Sequence, residues 1–438
     1  MTRRVTLDRL PRDDRTNGWF YTLPEPPPAR VLGGEHKADW LVIGAGYAGL
    51  GAARRLAELR PADRVVLLEA QRVGLGAAGR NSGFAIDLPH NVDMAQEARN
   101  RAQLRLNHAA LAHLEEIVTT HQIACQWSRR GKVHCWVKDK GRREVEDFAK
   151  SLDHLGETYT MLDAAATARV LGTSFYKGAL HTPGCVLMQP AALVRGLSRA
   201  LPANVDLYED SPVTAVEYGA TVRAETPKGA VSAPKLILCS EAFTPAFGFL
   251  QDRLFVLYTF ASLTRPLDDT EASALGGEGD WGIIPATRGG TTLRYTQDRR
   301  ILVRNVLKYV PELYVGQEAY AGIRRHHERS FKTRFPMLPK VGFEYTWGGS
   351  LCISRNKGIV FGRLADNVFG GLCQNGVGVT KGTITGRAVA ELAVGEDSDL
   401  VADMMLFPGP ETLPAEPWRG LGVRARLAWE EFRAGPEH

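Results

Sequence analysis

The chain has 438 residues, with 54 Lys and Arg against 49 Asp and Glu, a formal charge of +5 and 44% apolar composition. That length predicts two or three domains or one large α/β unit with ample core. The scattered, near-balanced charge gives no nucleic-acid footprint, and no apolar run reaches the length of a membrane span. Cys125, Cys135, Cys185, Cys239, Cys352 and Cys373 are widely spaced, with no CxxC and no zinc pattern, so reduced core cysteines, a cytoplasmic setting and no metal are expected.

Met1-Thr2-Arg3-Arg4 is basic, but charged residues and prolines follow in place of an apolar signal region. Residues 1–36, including Pro24-Glu25-Pro26-Pro27-Pro28, show no regular periodicity and read as an extended arm, with Trp19, Phe20 and Tyr21 anchoring it to the surface. The apolar run Trp40-Leu41-Val42-Ile43 then enters Gly44-Ala45-Gly46-Tyr47-Ala48-Gly49 and a helix-forming stretch. Gly44 suits the tight turn, Gly46 a close approach to a pyrophosphate, and Gly49 close helix packing. A second run, Arg64-Val65-Val66-Leu67-Leu68, ends at Glu69, about twenty residues on, where an acid can accept ribose hydroxyls. This is a βαβ dinucleotide unit, and up to this point nicotinamide and flavin are both open.

Gly74-Leu75-Gly76-Ala77-Ala78-Gly79-Arg80-Asn81-Ser82-Gly83-Phe84 follows, small enough for backbone to wrap a bulky ligand. From Met94 to His121 apolar residues at helical spacing predict one long helix. Alternating runs at 132–137, 254–258, 292–295 and 301–303 read as strands of a second, largely antiparallel sheet. Between them, Ala191, Leu193, Val194 and Leu197 line a helix face, and strands at 205–207, 213–216 and 236–239 return to the first domain. A second glycine turn, Gly370-Gly371-Leu372-Cys373-Gln374-Asn375-Gly376-Val377-Gly378-Val379-Thr380-Lys381-Gly382, opens another helix, whose amides and positive dipole end suit a flavin pyrimidine edge that becomes anionic on reduction. At the C-terminus Leu421, Val423, Leu427, Trp429 and Phe432 line an amphipathic stretch with arginines, expected to pack on the protein's own surface in preference to a membrane surface.

With the Gln189-Pro190 turn, Trp347-Gly348-Gly349, Arg363-Leu364 and the arm, these motifs span most of the chain. The sequence resembles the FAD-dependent D-amino-acid oxidase superfamily (glycine, sarcosine and D-amino-acid oxidases) and, within it, the gamma-glutamylputrescine oxidase-like branch. The resemblance implies an α+β two-domain flavoprotein in which a Rossmann-like FAD-binding domain (37–125, 181–250 and 345–400) interleaves with a mainly antiparallel β-sheet substrate domain (126–180 and 251–344). Residues 1–36 form the arm, and 401–438 a tail with a helix. It implies FAD bound through Gly44, Gly46, Tyr47, Ala48, Gly49, Glu69, Ala70, Gly79, Arg80, Asn81, Ser82, Gly83, the Val213 backbone, Gly376, Val377, Gly378, Val379, Thr380 and Lys381. The branch usually carries Gly-His-Gly where this chain has Val377. Cys352 lacks the spacing of the cysteine that links FAD in one type of sarcosine oxidase, so noncovalent FAD is implied.

The implied reaction passes a hydride from a neutral amine or amino acid to flavin N5, and the imine then hydrolyses; oxygen or another acceptor reoxidises the flavin. Arg80, Asn81, Tyr258, Arg294 and Tyr295 are the catalytic candidates. Arg294 and Tyr295 point to opposite strand faces, so one of the two can face the flavin, and Arg294 could hold a carboxylate bidentately. His326 and His327, beside Arg324 and Arg325, read as a solvated helix face, and Trp347 as packing at the domain junction. A dehydrogenase subunit passing electrons to a partner protein and a noncatalytic flavin-binding scaffold are the alternatives.

Overall fold

All four residues of Trp40–Ile43 and of Val65–Leu68 are buried, as central parallel strands covered on both faces require. The computed structural model describes residues 2–89, 92 and 95–438. It places these strands in a six-stranded sheet ordered Val205–Tyr208, Val65–Leu68, Trp40–Ile43, Lys235–Leu238, Val368–Leu372 and Val360–Ala365, parallel except for the last, antiparallel edge. The helices Tyr47–Leu59 and Gly378–Val394 pack together on one face, so closely that a Cβ on Gly386 would lie 1.9 Å from the Ala48 carbonyl oxygen. Both glycine turns therefore open side by side at the carboxyl ends of the strands, where open α/β sheets bind ligands.

On the opposite face lies a five-stranded sheet ordered Arg3–Thr6, Ala215–Tyr218, Val222–Glu225, Gly229–Ala233 and Gly34–Lys37. The arm is thus not merely extended: its first strand pairs antiparallel with Ala215–Tyr218, and Gly18–Tyr21 is a helical turn with Trp19 and Phe20 buried. The 213–216 strand likewise belongs to this smaller sheet. The long helix runs Glu97–Thr120, and Met94, at the predicted start, lies outside the described residues.

The second large sheet has eight strands, ordered Phe343–Ile353, Phe255–Thr264, Ile301–Tyr309, Thr292–Tyr295, Trp281–Pro285, Lys132–Trp136, Gly178–Thr182 and Thr160–Asp163. It is antiparallel apart from the pairing of Trp281–Pro285 with Lys132–Trp136. The expected boundaries at 181 and 345 both fall inside its strands. Phe343–Ile353 pairs with Phe255–Thr264 along its length, and a continuous ladder of hydrogen bonds keeps a strand in one sheet.

The helix Gln317–Arg334 turns Arg325 to solvent, with Arg324 and His326 half-buried, but His327 is not on that face: it is fully buried with Nδ1 2.7 Å from Ser262 Oγ. Trp347 does sit at the junction, fully buried, donating from Nε1 to the Arg80 carbonyl at 3.1 Å. The terminal helix Trp418–Ala434 forms, yet Leu421, Trp429 and Phe432 face solvent instead of the protein. Among the described residues no helix is long and apolar enough to cross a membrane, and no cluster could hold a metal ion.

Candidate active site

The first glycine turn is built as its spacing requires. Gly44 has φ +99°, and a Cβ on Gly49 would lie 1.7 Å from the Gly44 carbonyl oxygen, so the third glycine lets the helix close on the turn. A Cβ on Gly46 would meet only Ala78 Cβ, at 3.8 Å. Thirty residues on, the geometry repeats. Gly74 also has φ +99°, Gly76 has open space at its Cβ position, and a Cβ on Gly79 would lie 2.0 Å from the Gly74 carbonyl oxygen. Here a three-residue 3-10 turn, Ala77–Gly79, replaces the long helix. The Glu69 carboxylate ties the region together, accepting the Ala45 N–H at 2.8 Å and the Gln71 N–H at 3.1 Å, while burial pushes its pKa up.

These turns open into a cavity of about 280 Å³, roughly twenty times what one water needs. The six-stranded sheet contributes Gly44 to Ala48, Glu69, Ala70 and Cys239 to Phe243, and Val213 adds to this wall. The eight-stranded sheet contributes Tyr258, Gly348, Ser350, Leu351 and Cys352, and the C-terminal turn contributes Gln374, Asn375, Gly376 and Gly378. Leu7, Arg9, Leu10, Pro11, Arg12 and Asp14 of the arm line it as well, near Leu313, Tyr314 and Val315.

Of the candidate residues, Arg80, Asn81 and Tyr258 line this cavity. Arg80 is a junction: it donates to Asp14 Oδ1 at 2.8 Å, to the Leu75 carbonyl at 2.6 Å and to the Gly348 carbonyl at 3.0 Å, joining arm, second glycine turn and substrate sheet. Asn81 spends its amide on its own loop, donating to the Ala78 carbonyl and accepting the Gly83 N–H. Tyr258 donates to the Leu313 carbonyl at 2.6 Å and presents its ring to the cavity.

Arg294 and Tyr295 are not at the cavity. Arg294 is fully buried, donating to the Gly83 and Met188 carbonyls with its plane 5.7 Å from the Trp19 ring, and burial lowers its pKa to about 10. Tyr295 packs on Trp281 in the core on the other side of the strand. Gly49, Gly79, Ser82, Gly83, Val377, Val379, Thr380 and Lys381 do not line the cavity. Val377 packs with Phe84 and Ile86, and Thr380 Oγ1 donates to the Ile86 carbonyl. Lys381, on the first turn of its helix, is lowered to about 8 by burial, with Lys357 adding to the shift.

Three cavity residues are not among the site residues expected from the sequence, although Gln374 belongs to the second glycine turn. Asp14 accepts hydrogen bonds from Arg80, Thr16 and Tyr320; burial opposes its ionisation, yet Arg80 holds it below the usual carboxylate range. Asp14→Asn is expected to cost about 1–3 kcal/mol in urea unfolding, because it removes the nearer of the two carboxylates paired with a buried guanidinium and leaves only Asp13, at 3.6 Å. A loss below about 1 kcal/mol would show that the arm is held elsewhere. Gln374 has an unpaired buried Nε2 at the wall. Glu241 lies three residues past the strand Lys235–Leu238, whereas Glu69 directly follows Val65–Leu68, so no matching spacing marks it in the sequence. It has φ +44°, and Cys373, Asn375 and Leu313 beside the same cavity also have positive φ (+65°, +52° and +58°); such strained backbone gathers at functional sites.

Residues 39–392 match the family described as FAD dependent oxidoreductase. The chain is 27% identical over 399 residues to gamma-glutamylputrescine oxidoreductase of Escherichia coli, covering 88% of this chain and 91% of that protein. Among solved structures it is similar to glycine oxidase of Geobacillus kaustophilus (TM-score 0.70, 15% identity, 83% of this chain and 96% of that one). It is also similar to L-amino acid deaminase of Proteus myxofaciens (TM-score 0.68, 14% identity, 91% and 96%). With a family match across most of its length, two adjoining glycine turns and a cavity shared with a second sheet, the chain belongs to the FAD-dependent oxidoreductases of the DAO family.

Proposed function

We propose that this enzyme oxidises the carbon–nitrogen bond of an amine, with FAD held noncovalently, and releases an imine that water hydrolyses. The observation that carries the reading is one cavity walled by both the dinucleotide strands and the substrate sheet. The residues present fit FAD: at Gly46, Gly76, Gly376 and Gly378 a Cβ would have no neighbour closer than 3.8 Å, so bare backbone lies open to a ligand. Bound FAD supplies the two-electron acceptor at its N5.

Glu69 would accept the ribose hydroxyls, and the amides opening the helix Tyr47–Leu59 would face the pyrophosphate. Amides at Gly376 and Gly378, at the start of Gly378–Val394, would favour negative charge on the flavin's pyrimidine side. Tyr258, Gly348 and Ser350 would orient the substrate from the opposite wall. An amine is favoured over a free amino acid because the cavity's arginines are largely committed. Arg80 is spent on Asp14, Leu75 and Gly348, Arg72 on Pro27 and Glu209, and Arg9 on Pro311. That leaves Arg12, which lies over the Tyr314 ring. Six free, buried cysteines support a reducing, cytoplasmic setting.

The test is the visible spectrum of purified protein under anaerobic conditions as gamma-glutamylated amines, sarcosine, glycine and D-amino acids are added in turn. Bleaching by an amine is expected, and oxygen uptake on re-aeration then separates an oxidase from a dehydrogenase that needs another acceptor. Denatured protein should release its colour to the supernatant. A flavin that no amine reduces would overturn the reading.

A further inference from the structure

We propose that the helix Trp418–Ala434 docks the enzyme on an anionic phospholipid surface. At 100° per residue, Trp418, Leu421, Ala425, Trp429 and Phe432 fall in one stripe about 80° wide. That stripe points to solvent: Trp418 is 71% exposed, Leu421 56%, Trp429 53% and Phe432 78%. The helix is held to the protein by its other side, where Gly420 and Ala434 are buried and Leu427 lines a small cavity together with Val306 of the substrate sheet.

Three aromatic rings and a leucine left in water make an apolar patch on the order of 500–600 Å², at the top of what a soluble monomer tolerates without a function. A stable second copy needs about 800 Å² per partner, and a single narrow stripe falls short of that. Its edges name the occupant. Arg419, Arg426 and Arg433, seven residues apart, line one flank, and Arg424 lies on the other. Their ion pairs are easily surrendered: Arg426–Glu430 and Arg433–Glu144 are solvent-facing contacts worth about 1 kcal/mol or less. Lipid phosphates would take these guanidinium groups while the Trp and Phe rings enter the headgroup and acyl boundary, with the helix lying flat in the interface.

The experiment is cosedimentation of the flavin-loaded protein with vesicles of phosphatidylcholine, with or without phosphatidylglycerol, at low and high salt. Binding to the phosphatidylglycerol vesicles, weakened by salt, is expected. The double variant Trp429→Glu, Phe432→Glu should lower partition by at least about tenfold, since each buried aromatic is worth more than that. The neutral pair Trp429→Gln, Phe432→Gln should do so as well, with thermal midpoint and flavin content unchanged. Arg419→Gln with Arg426→Gln should abolish the preference for the anionic lipid. Absence of binding by the unmodified protein, or binding by both aromatic variants as strong as that of the unmodified protein, would overturn the proposal. So would a dimer in sedimentation velocity that these variants convert to monomer without any vesicle binding, because the stripe would then be an interface between copies.

Discussion

Gly46→Ala is expected to give a folded protein that has lost its flavin, whereas Gly49→Ala is expected to damage the turn itself. The two glycines sit three residues apart in one motif but face different neighbours. At Gly46 the backbone is in the extended region (φ −78°, ψ −174°), which alanine adopts without strain, and the added methyl meets only Ala78 Cβ at 3.8 Å. Nothing in the protein resists that methyl, yet it points into the cavity where a pyrophosphate must approach the turn. Overpacking of about 1–3 kcal/mol corresponds to a roughly five- to 150-fold loss of FAD affinity. At Gly49 the methyl would lie 1.7 Å from the Gly44 carbonyl oxygen, backbone that cannot yield without opening the turn or lifting the helix. The ratio of flavin to protein absorbance reads the first effect, and the thermal midpoint of flavin-free protein reads the second. A Gly46→Ala protein that purifies fully yellow would show that the cofactor does not lie on this turn.

The first glycine turn is legible because a buried strand precedes it and a periodic helix follows it. The second has the same spacing, Gly74, Gly76 and Gly79, but the 3-10 turn after it leaves no periodic signature, so it reads as a small-residue loop. The arm is opaque for a related reason: Arg3–Thr6 is an edge strand of mostly exposed residues whose partner, Ala215–Tyr218, lies more than two hundred residues away. Period-two alternation places Arg294 and Tyr295 on opposite faces. It does not say which face looks to the cavity, and the structure sends one to the Gly83 and Met188 carbonyls and the other into a core, with neither at the ligand. The terminal helix poses the same ambiguity, since its amphipathic pattern gives a stripe without saying whether protein or solvent lies against it.

Glu241 escapes the sequence for want of any local pattern, yet it should add its own component to the pH dependence of stability, opposite in sign to that of the buried His113 and His327, whose pKa values burial lowers to about 3. Its carboxylate, partly open to the cavity, accepts the N–H groups of Cys373 and Gln374, anchoring the turn that carries Gly376 and Gly378. Burial raises its pKa from 4.5 to about 7, against the pull of those two hydrogen bonds. Between these values the folded chain holds a proton that the unfolded chain has lost. The stabilisation is therefore complete below about 4.5 and is lost as the pH rises through about 7. At about 1.4 kcal/mol per pH unit the gap is worth on the order of 2–3 kcal/mol once partial solvent access is allowed for. Glu241→Gln keeps an acceptor oxygen and the shape of the side chain but cannot ionise, so its unfolding free energy in flavin-free protein should not show this fall between pH 5 and about 7.5. Urea titrations of both proteins across that range give the comparison. Parallel profiles would mean that Glu241 is charged throughout and that the turn is held by an ordinary carboxylate. A flattened profile would leave a proton-exchanging group at neutral pH in the cavity wall, the property that acid–base work on an amine requires.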